Sequence, residues 1–197
     1  MPAPKILVMA GSLRVGSSNA RLAALAAKEF ALAEADVTRI SFADYPLPLF
    51  DADLMADTGL PRQAIALKDM VGVHHGVFIA SPEYSASIPP LIKNAIDWMS
   101  RPRDRGEPNY AVFKGRVFAL GSASPGSAGG LRGLMALRQS LELGCGAMVL
   151  PEQITIGRAQ GAFDENDNLK DETQAATLKA LARRLVEVAG IMARASA

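Results

Sequence analysis

The chain has one cysteine and two histidines in 197 residues. A single cysteine excludes an internal disulfide and suits a reducing compartment, so a cytoplasmic setting is expected. Cys145 sits in an apolar Gly-Cys-Gly-Ala stretch, which predicts a buried, inert thiol rather than a nucleophile. His74 and His75 are adjacent and adjoin an apolar run, leaving little from which to build a metal centre. Charge of one sign is lacking too. The 21 Lys and Arg nearly balance 20 Asp and Glu, for a net +1, so nothing points to nucleic acid or to a membrane surface. No apolar run reaches the ~20 residues needed to span a bilayer, and Ile6–Ala10 is too short for the apolar part of an export signal. Two phosphate-binding fingerprints are also missing. Gly11 and Gly16 have the G-x-x-x-x-G spacing of a P-loop, but Ser17 stands where that motif needs Lys. Leu13, two places after Gly11, breaks G-x-G-x-x-G. Phosphoryl transfer loses its main charge stabiliser.

What is present alternates strand-like and helix-like runs. Ile6–Ala10 reads as a buried strand and Asn19–Leu32 as an alanine-rich helix. Asp36–Phe42 alternates and reads as an outer strand. Tyr45–Asp51, Y-P-L-P-L-F-D, has too many prolines for a ladder or helix and is expected to be an ordered loop. Pro61 can start a helix to about Val71. Val77–Ala80 is a third strand, and Pro89 or Pro90 opens a helix through Trp98. A fourth strand, Arg116–Leu120, is followed by a Gly/Ser-rich loop to Gly130 and a helix at about Leu131–Leu143. Met148–Leu150 is a fifth strand with an extension at Gln153–Ile156. Gly157–Leu169 is a polar loop, and Asp171–Arg194 a closing helix. This pattern predicts one α/β domain over residues 1–197, a doubly wound five-stranded parallel sheet with helices on both faces. Such sheets bind ligands beyond the carboxyl ends of the strands, where strand order switches. Three loops rich in Gly, Ser or Pro lie at such ends: Ser12–Asn19, Ser81–Ser87 and Gly121–Gly130.

The first loop crowds Ser12, Arg14, Ser17, Ser18 and Asn19 into a strand-to-helix turn. Unpaired N–H groups and the helix dipole favour an anion there, and phosphate is the expected one. The alternative is that Ser17 or Ser18 merely caps the helix. The second loop, S-P-E-Y-S-A-S-I-P-P, offers backbone amides, one phenol and small hydroxyls but no base–nucleophile pair. It suits a flat heteroaromatic ring with Tyr84 near one face. Glu83 reads either as a catalytic carboxylate or as a tie for its loop. The third loop, G-S-A-S-P-G-S-A-G-G, would close over the other end of the ring.

G-S-L-R-V-G-S-S-N, with S-P-E-Y-S-A-S-I-P-P-L-I-K-N-A-I-D-W-M-S-R about seventy residues later, resembles the NADPH-dependent FMN reductase family of flavodoxin-like flavoproteins. That family includes chromate and quinone reductases and azoreductases. The likeness extends over D-Y-P-L-P-L-F-D and G-A-F-D-E-N-D-N-L. It implies FMN, with the phosphate held by Ser12, Arg14, Ser17, Asn19 and Ala20. It places the isoalloxazine against Pro82, Glu83, Tyr84, Ser85, Ala86 and Ser87, with the third loop around Ser122, Ser124 and Gly126. It implies an oxidoreductase that passes hydride from NADPH or NADH to FMN, then to a quinone-like, azo, metal-oxyanion or free-flavin acceptor. It also implies a homodimer or homotetramer, with the helix carrying Lys93, Asn94 and Asp97 near the interface. Trp98 and Met99 end that amphipathic helix and read as core; if Ile88–Ser100 is instead an apolar interface helix, Trp98 is expected to be shielded by a partner. Many relatives carry Asn and then a bulkier or polar residue after P-E-Y. Ser85 and Ala86 stand there instead, leaving more room above the ring. Pro125 departs from the apolar residue often found at its place.

Two other readings of a flavin site are a non-enzymatic flavodoxin-type electron carrier and a flavin-binding regulatory module. Flavodoxins are typically strongly acidic, which this chain is not, and no DNA-reading or partner motif accompanies the domain pattern. Asp164, Asn166 and Asn168 imitate calcium-loop spacing, but Leu169 replaces the required Gly and Ala175 the bidentate Glu.

Overall fold

Across residues 3–195, which the computed structural model describes, five strands alternate with helices. The strands are β1 (Lys5–Ala10), β2 (Asp36–Ile40), β3 (Gly76–Ala80), β4 (Val117–Ala123) and β5 (Met148–Ile156). The helices are α1 (Ser18–Leu32), α2 (Ala52–Thr58), α3 (Arg62–Gly72), α4 (Pro90–Met99), α5 (Leu131–Gln139) and α6 (Glu172–Ala195). All strands are parallel, in the order β2-β1-β3-β4-β5. This is the flavodoxin-like order.

Both faces of the sheet are covered, which explains why the inner strands read as continuous apolar runs. Ile6 and Val8 enter a layer with Leu22 and Phe30 of α1 and Leu181 and Leu185 of α6. Leu7 and Met9 point the other way, against Leu67 of α3, Ile92 of α4 and Leu137 of α5. The chain crosses in opposite senses from β1 to β2 and from β2 to β3. A crevice therefore opens between the carboxyl ends of β1 and β3. The loop roots are stitched together there. The Gly11 N–H donates to the Ala80 carbonyl and the Ser81 N–H to the Gly121 carbonyl, each at 2.8 Å. A Cβ at Gly11 would lie 2.2 Å from Cδ1 of Ile92, so only glycine lets α4 pack this close under the first loop.

Four expectations need correction. α2 follows the proline-rich loop and has no counterpart in the sequence reading. Asp51 starts it by accepting the Asp53 and Leu54 N–H groups at 2.8 and 3.3 Å, yet none of its residues is buried. A helix without a buried face leaves no apolar period to read. β4 runs on to Ala123, so Ser122 lies inside the strand rather than in the loop. β5 is one strand through Pro151, with its register shifted between Phe118 and Leu120 of β4. An edge position tolerates that proline because no strand beyond needs its N–H. Finally, Trp98 is shielded by its own chain. It is 0% exposed, its Nε1 donates to the Pro48 carbonyl at 2.8 Å, and the Phe50 ring meets it edge-on at 5.0 Å.

Candidate active site

The first loop enters α1 through Ser17, whose Oγ accepts the Ala20 N–H at 3.4 Å. This cap leaves the N–H groups of Ser18 and Asn19, in the first turn, without intrahelical acceptors. Ser12 Oγ accepts the Arg14 N–H at 3.3 Å and curls the loop back on itself. The Arg14 side chain is exposed and, among the described residues, joins no ion pair. Asn19 behaves differently. It is buried, its Nδ2 donates to the Ala123 carbonyl at 2.8 Å, and its Oδ1 accepts the Ala123 N–H at 2.9 Å. Its amide group is committed to joining the first loop to the end of β4.

The second loop is anchored by Glu83. Oε1 accepts from Nε of Arg132 at 2.9 Å, and Oε2 accepts the Gly133 N–H at 3.0 Å. α5 begins at Gly130 without a side-chain cap, so Glu83 supplies one from fifty residues earlier. Burial alone would push this carboxyl up. The Gly133 N–H and the Arg132 guanidinium outweigh it and hold the group below the usual carboxylate range. A Cβ at Gly133 would come within 3.1 Å of the Glu83 Cα, so glycine lets loop and helix meet. Beyond Glu83, Tyr84 is half exposed. The chain then reverses over Ser85 and Ala86, with Tyr84 and Ser87 exchanging backbone bonds of 3.1 and 2.9 Å. Ser85 and Ala86 have φ of 49° and 59°, the left-handed pair of a type I′ turn built without glycine or asparagine.

The third loop is held by the chain that follows β5. The Ser124 carbonyl accepts the Ala159 N–H at 3.1 Å, and the Gly126 carbonyl accepts from Gly129 and Arg158 at 3.1 and 3.2 Å. Arg21 of α1 grips the same segment. Its Nε donates to Asp167 at 2.6 Å, its Nη2 to the Asp164 carbonyl at 3.1 Å, and its guanidinium lies 4.6 Å over the Phe163 ring.

These elements bound a cleft of about 540 Å³ at the switch point, within the ~300–1,000 Å³ of small-molecule sites. Of the residues singled out in the sequence, Ser12, Arg14, Ser17, Ser18, Asn19, Pro82, Glu83, Tyr84 and Ser124 line it. Ala20 faces an adjoining cavity, and Ser87 a separate groove between α4 and α5. Ser85 and Ala86 form the tip of the exposed turn, and Gly126 is occupied with backbone bonds. Ser122 is buried in β4, its Oγ without a partner. Gly16, Arg21, Ala123, Pro125, Ala159 and Gln160 also line the cleft; of these, Arg21, Ala159 and Gln160 escaped the sequence reading. Ala123 and Pro125 lie in the third loop already identified. Ala159 and Gln160 come from a polar segment with no period to mark its inward side.

The donor set fits a phosphate monoester: hydroxyls, free amides at a helix start, and one unpaired guanidinium, with a broad wall beyond. Residues 4–161 match the family described as NADPH-dependent FMN reductase. The chain is 37% identical over 138 residues to a quinone reductase of Escherichia coli K12, spanning 70% of this chain and 69% of that one. It is 32% identical over 173 residues to an NAD(P)H-dependent FMN reductase of Pseudomonas aeruginosa, spanning 85% of each. Among solved structures, the flavoenzyme NAD(P)H:(acceptor) oxidoreductase FerB of Paracoccus denitrificans is similar with a TM-score of 0.77 and 30% identity, over 96% of this chain and 98% of that one. The chain belongs to the NADPH-dependent FMN reductase family and is an FMN-linked oxidoreductase that draws on NAD(P)H.

Proposed function

We propose that the cleft holds FMN and that the enzyme reduces small quinone-like acceptors at the expense of NAD(P)H. The observation that carries this reading is the pairing of an unpartnered Arg14 and the open start of α1 with the wall at Pro82–Tyr84, in one cleft at the switch point. Ser12, Arg14, Ser17, Ser18 and the first-turn amides of α1 would hold the phosphate. Pro82, Tyr84, Ser124 and Pro125 would meet the ring. Bound FMN supplies the hydride chemistry, so the protein has to bind, orient and tune it rather than provide a nucleophile.

The chain's own residues serve that task by rigidity. Asn19 locks the first loop to β4, Glu83 locks the second to α5, and Arg21 locks the segment behind the third to α1. Glu83 is tied by both oxygens and held ionised, which makes it a poor proton carrier and a good anchor. The quinone reading is supported by the quinone reductase among the relatives and by the open turn at Ser85 and Ala86. A homodimer or homotetramer belongs to the same proposal, and light scattering should give at least twice 20.8 kDa.

The test is an anaerobic titration of the FMN-loaded protein with each nucleotide, followed by a quinone. Bleaching of the flavin absorbance and its stoichiometric return on quinone addition are expected. Arg14→Ala should weaken FMN by about 10–100-fold, the loss of one charge-assisted phosphate contact, and riboflavin hardly at all. Equal losses for the two ligands would remove the phosphate from this loop.

A further inference from the structure

A second cavity, of about 320 Å³, opens at the phosphate loop and shares Ser12 with the flavin cleft. Ala20 and Ala23 of α1 form its helical wall, and Arg39, Ser41 and Asp44, at the end of β2 and just beyond it, its outer side. In the sheet β1 lies between β2 and β3, and Ser12 follows the end of β1. From Ser12 the wall at Pro82–Tyr84 therefore lies toward β3, and the second cavity toward β2. The two alanines are too small to fill the space between helix and edge strand. Arg39 pairs in register with Val8, and Val8 belongs to the layer under α1. Parallel neighbours share a face, so Arg39 rises on the α1 side of the sheet. Asp44 ends the short 3₁₀ turn Phe42–Asp44, whose start is fixed by Ser41 Oγ accepting the Ala43 N–H at 3.2 Å. Arg39 and Asp44 are exposed, and among the described residues neither joins an ion pair. Arg21 is taken by Asp167, so each cavity holds one guanidinium without an acid partner, Arg14 in the cleft and Arg39 beside it.

We infer that this cavity takes the adenylate half of FAD, with Arg39 on the second phosphate, so that the site accepts either flavin nucleotide. The inference rests on the reading of the neighbouring cleft as the flavin site. Its first support is order. FAD is FMN extended at its phosphate by AMP, so ring, first phosphate, second phosphate and adenosine follow one another along the molecule. From β3 to β2, the wall at Pro82–Tyr84, the loop with Ser12 and Arg14, and the cavity with Arg39 follow in the same order. The first phosphate keeps the place that it has in FMN. Its second support is charge. The linkage leaves one negative charge on each phosphate, and each meets a guanidinium of its own; the planar fork of Arg39 can take two phosphate oxygens at once. FMN alone leaves Arg39 without a partner. Its third is the remaining lining. The Asp44 carboxylate and the Ser41 hydroxyl can accept ribose hydroxyls, and the methyls of Ala20 and Ala23 offer adenine an apolar wall. The volume, about 320 Å³, lies at the lower end of small-molecule sites, ~300–1,000 Å³, which suits a nucleoside monophosphate.

The test is an exchange. The FMN-loaded protein is equilibrated with an excess of FMN and FAD in equal amounts, and the flavins that it retains are separated by chromatography and counted. The unmutated protein should retain FAD within about tenfold of FMN, since new contacts are offset by the cost of ordering the adenylate. Arg39→Ala should lower the FAD-to-FMN ratio by about 10–100-fold, the loss of one charge-assisted contact, and leave FMN affinity within about threefold. Arg39→Lys should keep part of the ratio, because a point charge attracts phosphate without the fork. Arg14→Ala should weaken both flavins and leave the ratio near its native value, because both carry the first phosphate. No FAD on the unmutated protein, or a ratio that Arg39→Ala leaves unchanged, would overturn the assignment. So would an Arg39→Ala protein that loses both flavins alike, which would put Arg39 on the first phosphate. Failure of the flavin reading looks different: the unmutated protein would then retain neither nucleotide.

Discussion

Replacing Glu83 by Gln separates an anchor from a catalyst. The Glu83 side chain is 8% exposed, whereas its partner Arg132 is 67% exposed. The two ends of the contact should therefore count differently. Gln keeps the shape but sets an amide NH₂ against a donor, either the Gly133 N–H or the guanidinium, and removes the charge. Losing a hydrogen bond to a charged group should cost about 1.5–3 kcal/mol at neutral pH. For a domain of this size that corresponds to about 3–12 °C in Tm. Arg132→Ala removes only the solvent-screened half and should cost about 0–1 kcal/mol. The pH dependence follows from the direction of the shift. The folded carboxyl lies below its unfolded value of about 4.3, so its contribution is complete above that pH and is lost as pH falls through the folded value. Urea melts of the three proteins between pH 3 and pH 7 provide the measurement. The gap between native and Glu83→Gln protein should close toward the acid end, with the rate of flavin reduction by NAD(P)H within a few-fold throughout. A variant of full stability whose flavin reduction falls about 100-fold, the scale of lost acid–base catalysis, would refute the anchor and make Glu83 catalytic.

Asn19→Ala strands the buried N–H and carbonyl of Ala123 at about 1–3 kcal/mol each. The apoprotein itself should melt earlier in urea, and an unchanged midpoint would show that water replaces the amide. The double variant Ser85→Asn with Ala86→Gly supplies the residues a type I′ turn favours. It relieves left-handed strain of about 1–2 kcal/mol per residue against a smaller entropic cost of glycine. The expected outcome is a higher Tm with unchanged FMN affinity, and a lower Tm would argue against strain at this turn. Burial pushes the Cys145 thiol up to about 11. A thiol reagent at pH 8 should leave the native protein untouched and label one site per chain in denaturant; native labelling would mean that α5 and its terminal turn open readily.

The sheet was legible because its inner strands are buried on both faces, so that Ile6–Ala10, Val77–Ala80 and the start of β4 announce themselves as apolar runs. The loops were legible because Gly, Ser and Pro gather at their carboxyl ends. What no local pattern shows is which polar groups in those loops remain free. Ser17 and Asn19 are two places apart and look alike as phosphate donors. Yet the Asn19 amide meets a backbone group 104 residues away, while Ser17 caps its own helix. Glu83 finds its partners at Arg132 and Gly133, and Trp98 finds Pro48 and Phe50. Each of these contacts joins segments brought together by the sheet order, and that order is a property of the whole chain. The fold thereby sorts the polar groups of the cleft into two sets. Asn19, Glu83 and Arg21 are committed to holding three loops against one another, and Arg14 is left with its guanidinium in the cleft. Removing a member of the first set should loosen the protein with or without ligand. Arg14→Ala should instead leave the apoprotein melt unchanged and lower only that of the FMN complex. Ligand-free melts of Arg14→Ala and Asn19→Ala therefore decide the sorting, and equal destabilisation by both would show that Arg14 also belongs to the frame.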